Sequence, residues 1–133
     1  MILVVDDEPW IVEEMLEAFE YLGEVAIGAH DIDSATAIIE SHGDIDMVFT
    51  DIRMPGGSGW ELVERFDNPS PNTPKFVVIT GHEDEYSNTA SNGKAKGKNV
   101  VRFLTKPIAV HQLQEILLAQ KTSTTQGSTG KET

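Results

Sequence analysis

Asp6 and Asp7 follow the apolar run Ile2–Val5, Asp51 follows the apolar run 47–50, and Lys106 lies just past a third such run, 100–104. If these runs are neighbouring parallel strands, three carboxylates and one ammonium converge at one edge of one sheet. Carboxylates that close repel one another, and a divalent cation or a phosphoryl group between them relieves the cost. A carboxylate can also attack phosphorus and form an acyl phosphate. Nucleophile and incoming group are then both anionic, so the work is mostly positioning and charge neutralisation. Magnesium suits it, because it takes few carboxylates and keeps waters and phosphate oxygens in its octahedron. Lys106 is a compact charge on a long stem, fit to hold one phosphoryl oxygen, and the Thr80 hydroxyl can donate to another.

The elements that must position these residues alternate. Apolar runs at Ile2–Val5, 24–29, 47–50, 76–80 and 100–104 read as strands. Between them lie helix-like stretches. The first starts after Asp7 with Pro9 in its first turn, carries Ile11, Val12, Met15, Leu16, Phe19 and Leu22 at helical spacing, and stops at Gly23. The second is capped by Asp33 or Ser34, buries Ala35, Ile38 and Ile39, and ends at Gly43. The run Met54-Pro55-Gly56-Gly57-Ser58-Gly59 reads as a loop before a helix with Trp60, Leu62, Val63 and Phe66, and 68–74 reads as another loop. A last helix over 109–120 buries Val110, Leu113, Ile116 and Leu117. Strands that are apolar throughout are covered on both faces, as in a parallel α/β sheet. Ligands of such sheets sit beyond the carboxyl ends of the strands, where Asp6, Asp7, Asp51, Thr80 and Lys106 all fall.

Composition narrows the function. A net charge of -12 over 133 residues opposes direct nucleic-acid binding and favours a cation or a basic partner. The absence of cysteine excludes disulfides and thiol catalysis. No apolar stretch approaches a membrane span, and a soluble cytoplasmic protein is the expectation. Residues 1–120 read as one domain and 121–133, which hold no apolar residue, as a disordered tail or linker. Residues 84–99 break the pattern: Gly93, Gly97 and several Asn and Ser residues oppose the helix expected there, which should be short, irregular or mobile. Lys94, Lys96, Lys98 and Arg102 form a basic cluster that reads as a solvated loop before it reads as a partner contact.

Four fragments carry a family resemblance: Ile2-Leu3-Val4-Val5-Asp6-Asp7-Glu8, Asp51-Ile52-Arg53-Met54-Pro55-Gly56-Gly57-Ser58-Gly59, Val78-Ile79-Thr80-Gly81 and Phe103-Leu104-Thr105-Lys106-Pro107. In order and spacing the chain resembles the receiver domain of two-component response regulators over about residues 2–120. The resemblance implies a flavodoxin-like doubly wound sheet of five parallel strands in the order 2-1-3-4-5. It implies that Asp51 accepts a phosphoryl group from a sensor histidine kinase or a phosphotransfer protein. It further implies that Asp7 and Asp51 bind magnesium (or manganese) directly, Asp6 through water, and that the backbone carbonyl of Arg53 completes the site. Thr80 and Phe103 occupy the family's switch positions. Arg53 and His82 flank the phosphoryl group and tune how fast water removes it, and Lys106-Pro107 is a cis peptide. The output partner or fused domain is not readable.

Plainer readings stand beside these. Asp6 and Asp7, taken alone, read equally as a cap for the first helix. Asp51 reads as a turn residue before Pro55, Thr80 as a strand-end threonine, Phe103 as core, Lys106 as a surface lysine and Trp60 as helix packing. His30, His42, His82 and His111 lack metal-ligand spacing. Two other functions compete with a phosphorylation-controlled switch that acts on no external substrate. One is a phosphorylation-independent interaction module on the receiver fold. The other is a phosphatase of the haloacid-dehalogenase type, which places its general acid two residues after the nucleophile, where this chain has Arg53.

Overall fold

The computed structural model describes residues 1–55, 57–67, 73–81 and 99–129. In chain order these form β1 (Ile2–Val5), α1 (Pro9–Tyr21), β2 (Ala26–Ala29), α2 (Ile32–Ser41), β3 (Met47–Asp51), β4 (Arg53–Met54), β5 (Gly57–Ser58), α3 (Gly59–Arg65), β6 (Lys75–Thr80), β7 (Val100–Thr105) and α4 (Val110–Thr129). Five strands make one parallel sheet in the order β2-β1-β3-β6-β7. With the small antiparallel β4–β5 pair set aside, this is the expected 2-1-3-4-5 order of a flavodoxin-like fold.

Both sheet faces are dry because successive side chains of each central strand are apolar. Leu3, Val5, Val48, Phe76 and Val78 meet Ala35, Ile39, Leu62 and Val63 of α2 and α3. On the other face Val4, Phe49, Val77, Ile79 and Leu104 meet Val12, Met15 and Phe19 of α1 and Leu113, Ile116 and Leu117 of α4. Phe19 and Phe49 tilt together with ring centroids 4.9 Å apart. β7 lies at the sheet's edge and leaves Val101 and Arg102 exposed.

Local chemistry sets the helix ends. Pro9 opens α1 after Glu8, whose side chain makes no capping bond, and Gly23 takes a left-handed φ of 84° just past the end. α3 starts with a capping box: Ser58 Oγ accepts from Trp60 N at 3.1 Å, and Glu61 Oε1 accepts from Ser58 N at 3.0 Å. Arg65 of α3 ties to α2 by donating to Thr36 Oγ1 at 2.7 Å. The Lys106-Pro107 peptide is cis.

Several sequence expectations need correction. The cap of α2 is Asp31, which accepts from Ser34 N at 2.7 Å, rather than Asp33 or Ser34; Asp33 lies within the first turn, where its charge meets the helix's positive end. The 54–59 loop holds the small antiparallel β4–β5 pair, and a Cβ on Gly57 there would press on the Glu61 carboxylate and Ile32. β2 begins at Ala26, not at 24. Val110 is 41% exposed, since it begins α4 before the helix reaches the core. The last helix, expected to end at 120, continues as far as Thr129. The irregular segment expected at 84–99 lies outside the described residues except for Asn99, as do Lys94, Lys96, Lys98 and the loop residues 68–72. Arg102 belongs to β7 and lies 4.0 Å from Glu115 of α4.

Candidate functional site

Register brings the site together. Val5 pairs with Thr50, Asp51 with Ile79, and Thr80 with Thr105. The carboxyl ends of β1, β3, β6 and β7 are therefore level, and the residues that follow them share one rim. Asp6 and Asp51 are buried there, Asp7 is half-buried, and one carboxylate oxygen from each lies within 4.8 Å of the others. The capping alternative for the acidic pair holds only in a minor way. Asp6 Oδ1 accepts from Glu8 N at 3.0 Å, while its other oxygen faces the cluster.

Lys106 joins two strands at this rim. Its Nζ donates to Asp6 Oδ2 at 3.3 Å and to Asp51 Oδ2 at 3.4 Å. Its backbone N donates to Thr80 O at 2.9 Å, which fixes the lysine to the end of β6. Burial raises the Asp51 carboxyl above the usual carboxylate range; the Lys106 charge opposes this and the Asp6 charge adds to it. Burial pushes the Lys106 ammonium down, but Asp51 and Asp6 outweigh it and carry the lysine above its ordinary value. The two directions agree physically: one ammonium serves two carboxylates, so the lysine is well paired and Asp51 is under-compensated.

Thr80 is fully buried at the end of β6. Phe103 is half-buried and tilts against Trp60 with centroids 5.8 Å apart. Arg53 opens β4, exposed, two residues beyond Asp51. His82 lies outside the described residues. The rim thus collects Asp6, Asp7, Asp51, Thr80 and Lys106, and Phe103 stands farther back along β7.

Two contacts were not legible in the sequence. Gly59 N donates to Ile52 O at 2.8 Å, and a Cβ on Gly59 would run into the Asp51 carbonyl oxygen. Its signal was a glycine opening a helix, where a better helix former would be expected. Trp60 meets Phe103 across the fold, which no spacing rule reveals. Beside the cluster, a groove of about 670 Å³ runs between α1 and the start of α4, lined by Trp10, Ile11, Glu14, Lys106, Ile108 and Val110.

The family model described as response regulator receiver domain matches residues 2–118. The chain belongs to that family. Among curated relatives, this receiver domain is 30% identical over 118 residues to the response regulator protein PilR of Pseudomonas aeruginosa, covering 86% of this chain and 24% of that one. It is 30% identical over 120 residues to the virulence sensor protein BvgS of Bordetella pertussis, covering 87% of this chain and 10% of that protein. The receiver therefore spans less than half the length of the curated relatives it matches. Among solved structures it resembles a CheY-like receiver domain from Methylobacillus flagellatus at 28% identity and a TM-score of 0.76, covering 89% of this chain and 95% of that one. The receiver domain of NtrX from Brucella abortus gives 28% identity and a TM-score of 0.72, with 91% and 96% covered. Among the described residues no helix is long and apolar enough to cross a membrane.

Proposed function

We propose that this receiver is a phosphorylation-controlled switch in which Asp51 accepts a phosphoryl group from a sensor histidine kinase or a phosphotransfer protein. The observation that carries the reading is the Asp51 carboxylate, buried, held 3.4 Å from Lys106 and left with a raised carboxyl pKa. A buried carboxylate whose charge is only partly met is poised to gain from a cationic partner or a phosphoryl group.

In the step proposed, a lone pair of an Asp51 oxygen attacks the phosphorus of a phosphohistidine. The P–N bond breaks, its electrons stay on the imidazole nitrogen, and an acyl phosphate forms. Lys106 shifts from Asp51 to a phosphoryl oxygen and neutralises it there, while the Thr80 hydroxyl donates to another. A divalent cation, magnesium or manganese, fits the carboxylate cluster of Asp6, Asp7 and Asp51; with the Arg53 carbonyl as a further ligand it would supply charge neutralisation between nucleophile and phosphoryl group. Thr80 lies on the face that also carries Phe103, so drawing its hydroxyl toward Asp51 frees space that Phe103 can enter. Arg53 borders the exposed side and tunes hydrolysis, a role His82 shares. The groove beside Lys106, with Trp10 and Val110 exposed at its rim, gives the donor protein its approach. The altered β6–β7 face then engages an output partner or a fused domain.

Arg53 cannot serve as the general acid that a haloacid-dehalogenase-type phosphatase needs, and the paired acidic cluster would be idle in a phosphorylation-independent module. The decisive experiment is the mass of the protein after acetyl phosphate with and without magnesium. A single added phosphoryl group that requires magnesium and is absent in Asp51→Asn is expected. Magnesium binding with no phosphoryl uptake would overturn the reading.

A further inference from the structure

We propose that Trp60 is the resting-state stop for Phe103, a role that rests on the reading of Asp51 as phosphoacceptor and adds a second connection between Asp51 and β7. The two rings meet at 5.8 Å and 50°, a tilted pair within the range of favourable aromatic geometry. Both side chains are half-buried and both pack on the core beneath α2 and α3. Phe103 pairs in register with Val78, and Thr80 follows two residues later on β6, so Thr80 and Phe103 project from the same face of the sheet. Trp60 bounds Phe103 on the α3 side of that face, and in this reading Phe103 gives up the contact when it turns toward Thr80.

The position of Trp60 also ties it to the phosphoacceptor. Its predecessor Gly59 is pressed so closely on the Asp51 peptide that a Cβ there would meet the carbonyl oxygen, and Gly59 N donates to Ile52 O at 2.8 Å. Trp60 N is itself held by Ser58 Oγ at 3.1 Å. One helix end therefore touches both the Asp51 backbone and the Phe103 ring. A shift of the Asp51 peptide on modification moves the start of α3 and loosens the stack, while the stack in turn biases the unmodified protein toward the Phe103 position that meets Trp60. An aromatic pair of this kind changes such an equilibrium by about two- to tenfold.

The test uses the full chain carrying Trp10→Phe, which leaves Trp60 as the sole tryptophan of the two in the sequence. Its emission is followed during titration with beryllium fluoride and magnesium, while fluorine NMR reports filling of the Asp51 site independently. Trp60 emission is expected to shift with the same midpoint as filling, and the shift is expected to shrink in Phe103→Leu, where only the movement of the α3 start remains. Separately, Trp60→Leu is expected to tighten the midpoint by about two- to tenfold when Phe103 is present and to leave it unchanged in the Phe103→Leu background. A filled site with unchanged Trp60 emission, or a Trp60→Leu effect on the midpoint that is the same with and without Phe103, overturns the stop while leaving the phosphoacceptor reading intact. A site that never fills overturns both.

Discussion

The Lys106 ammonium stands 3.4 Å from the Asp51 carboxylate across 55 residues of sequence, and the same nitrogen reaches Asp6 at 3.3 Å. The fold spends one cation on two buried anions from different strands. That ratio leaves negative charge over at the rim, and the half-buried Asp7 adds to it. Arg in place of Lys106 would present a wide planar fork where one compact charge now sits between two oxygens.

Removing that charge tests the division of labour. In Lys106→Ala, the rate of Asp51 phosphorylation by acetyl phosphate at saturating magnesium is expected to fall by about 10²-fold, the usual loss for one preorganised donor to a developing oxyanion. Rapid-quench mass spectrometry measures it. A rate within twofold of wild type would show that Lys106 is a structural counter-ion only.

Asp51 itself is expected to cost stability. Its folded-state carboxyl lies above the ordinary value, so it favours the protonated form more than the unfolded chain does. The stability linked to this group is present in full below the unfolded pKa and is lost as pH rises through the folded one. At pH 7, without divalent cations, Asp51→Asn should therefore melt higher than wild type, and the gap should close as pH falls through the carboxylate range. An Asn variant that melts lower at pH 7 would mean that Lys106 more than compensates the burial of Asp51.

The difference between what could be read and what could not follows the range of the forces. The acidic rim was legible because each of its members ends an apolar run, and a parallel sheet aligns such ends. The capping of α2 by Asp31 was missed because Asp31, Asp33 and Ser34 are all competent caps, and only backbone geometry picks one. The Trp60–Phe103 contact joins α3 to a strand two places away in the sheet order from β3, and no local periodicity encodes it. The helical continuation past Gln120 was missed because polar composition was read as a stop, although 121–126 contain no residue that breaks a helix. The cis peptide at Lys106-Pro107 came from the family resemblance alone.

Gly59 offers a steric test. Gly59→Ala places a Cβ against the Asp51 carbonyl oxygen, a backbone atom that cannot swing aside. Alanine is the better helix former, so propensity alone would predict a small gain in stability. Overpacking should win, with a loss of about 1–3 kcal/mol in chemical denaturation. Because the clash falls on the residue that carries the phosphoryl group, phosphorylation should slow as well. A variant as stable as wild type would show that the start of α3 can shift freely away from β3.

The carboxylate cluster predicts a pH-dependent cation site. One oxygen each from Asp6, Asp7 and Asp51 lies within 4.8 Å of the others, which suits a small hard ion that keeps several waters. Binding to the folded state alone stabilises by about 2.7 kcal/mol at a hundred times Kd, so magnesium should raise the melting temperature in proportion to the logarithm of its concentration. Protons compete for the same oxygens. Since burial already raises the Asp51 carboxyl, magnesium affinity should begin to fall at a higher pH than an ordinary aspartate would dictate. Asp7→Asn keeps Lys106 paired with Asp6 and Asp51 but removes one ligand, so it should weaken magnesium binding by at least tenfold while leaving the cation-free melting temperature within about 2 °C, as expected for a change of a few tenths of a kcal/mol. Calorimetric titration from neutral pH down to the ordinary carboxylate pKa of about 4 reads both effects. Affinity that is flat across that range, or unaltered by Asp7→Asn, would place the ion elsewhere.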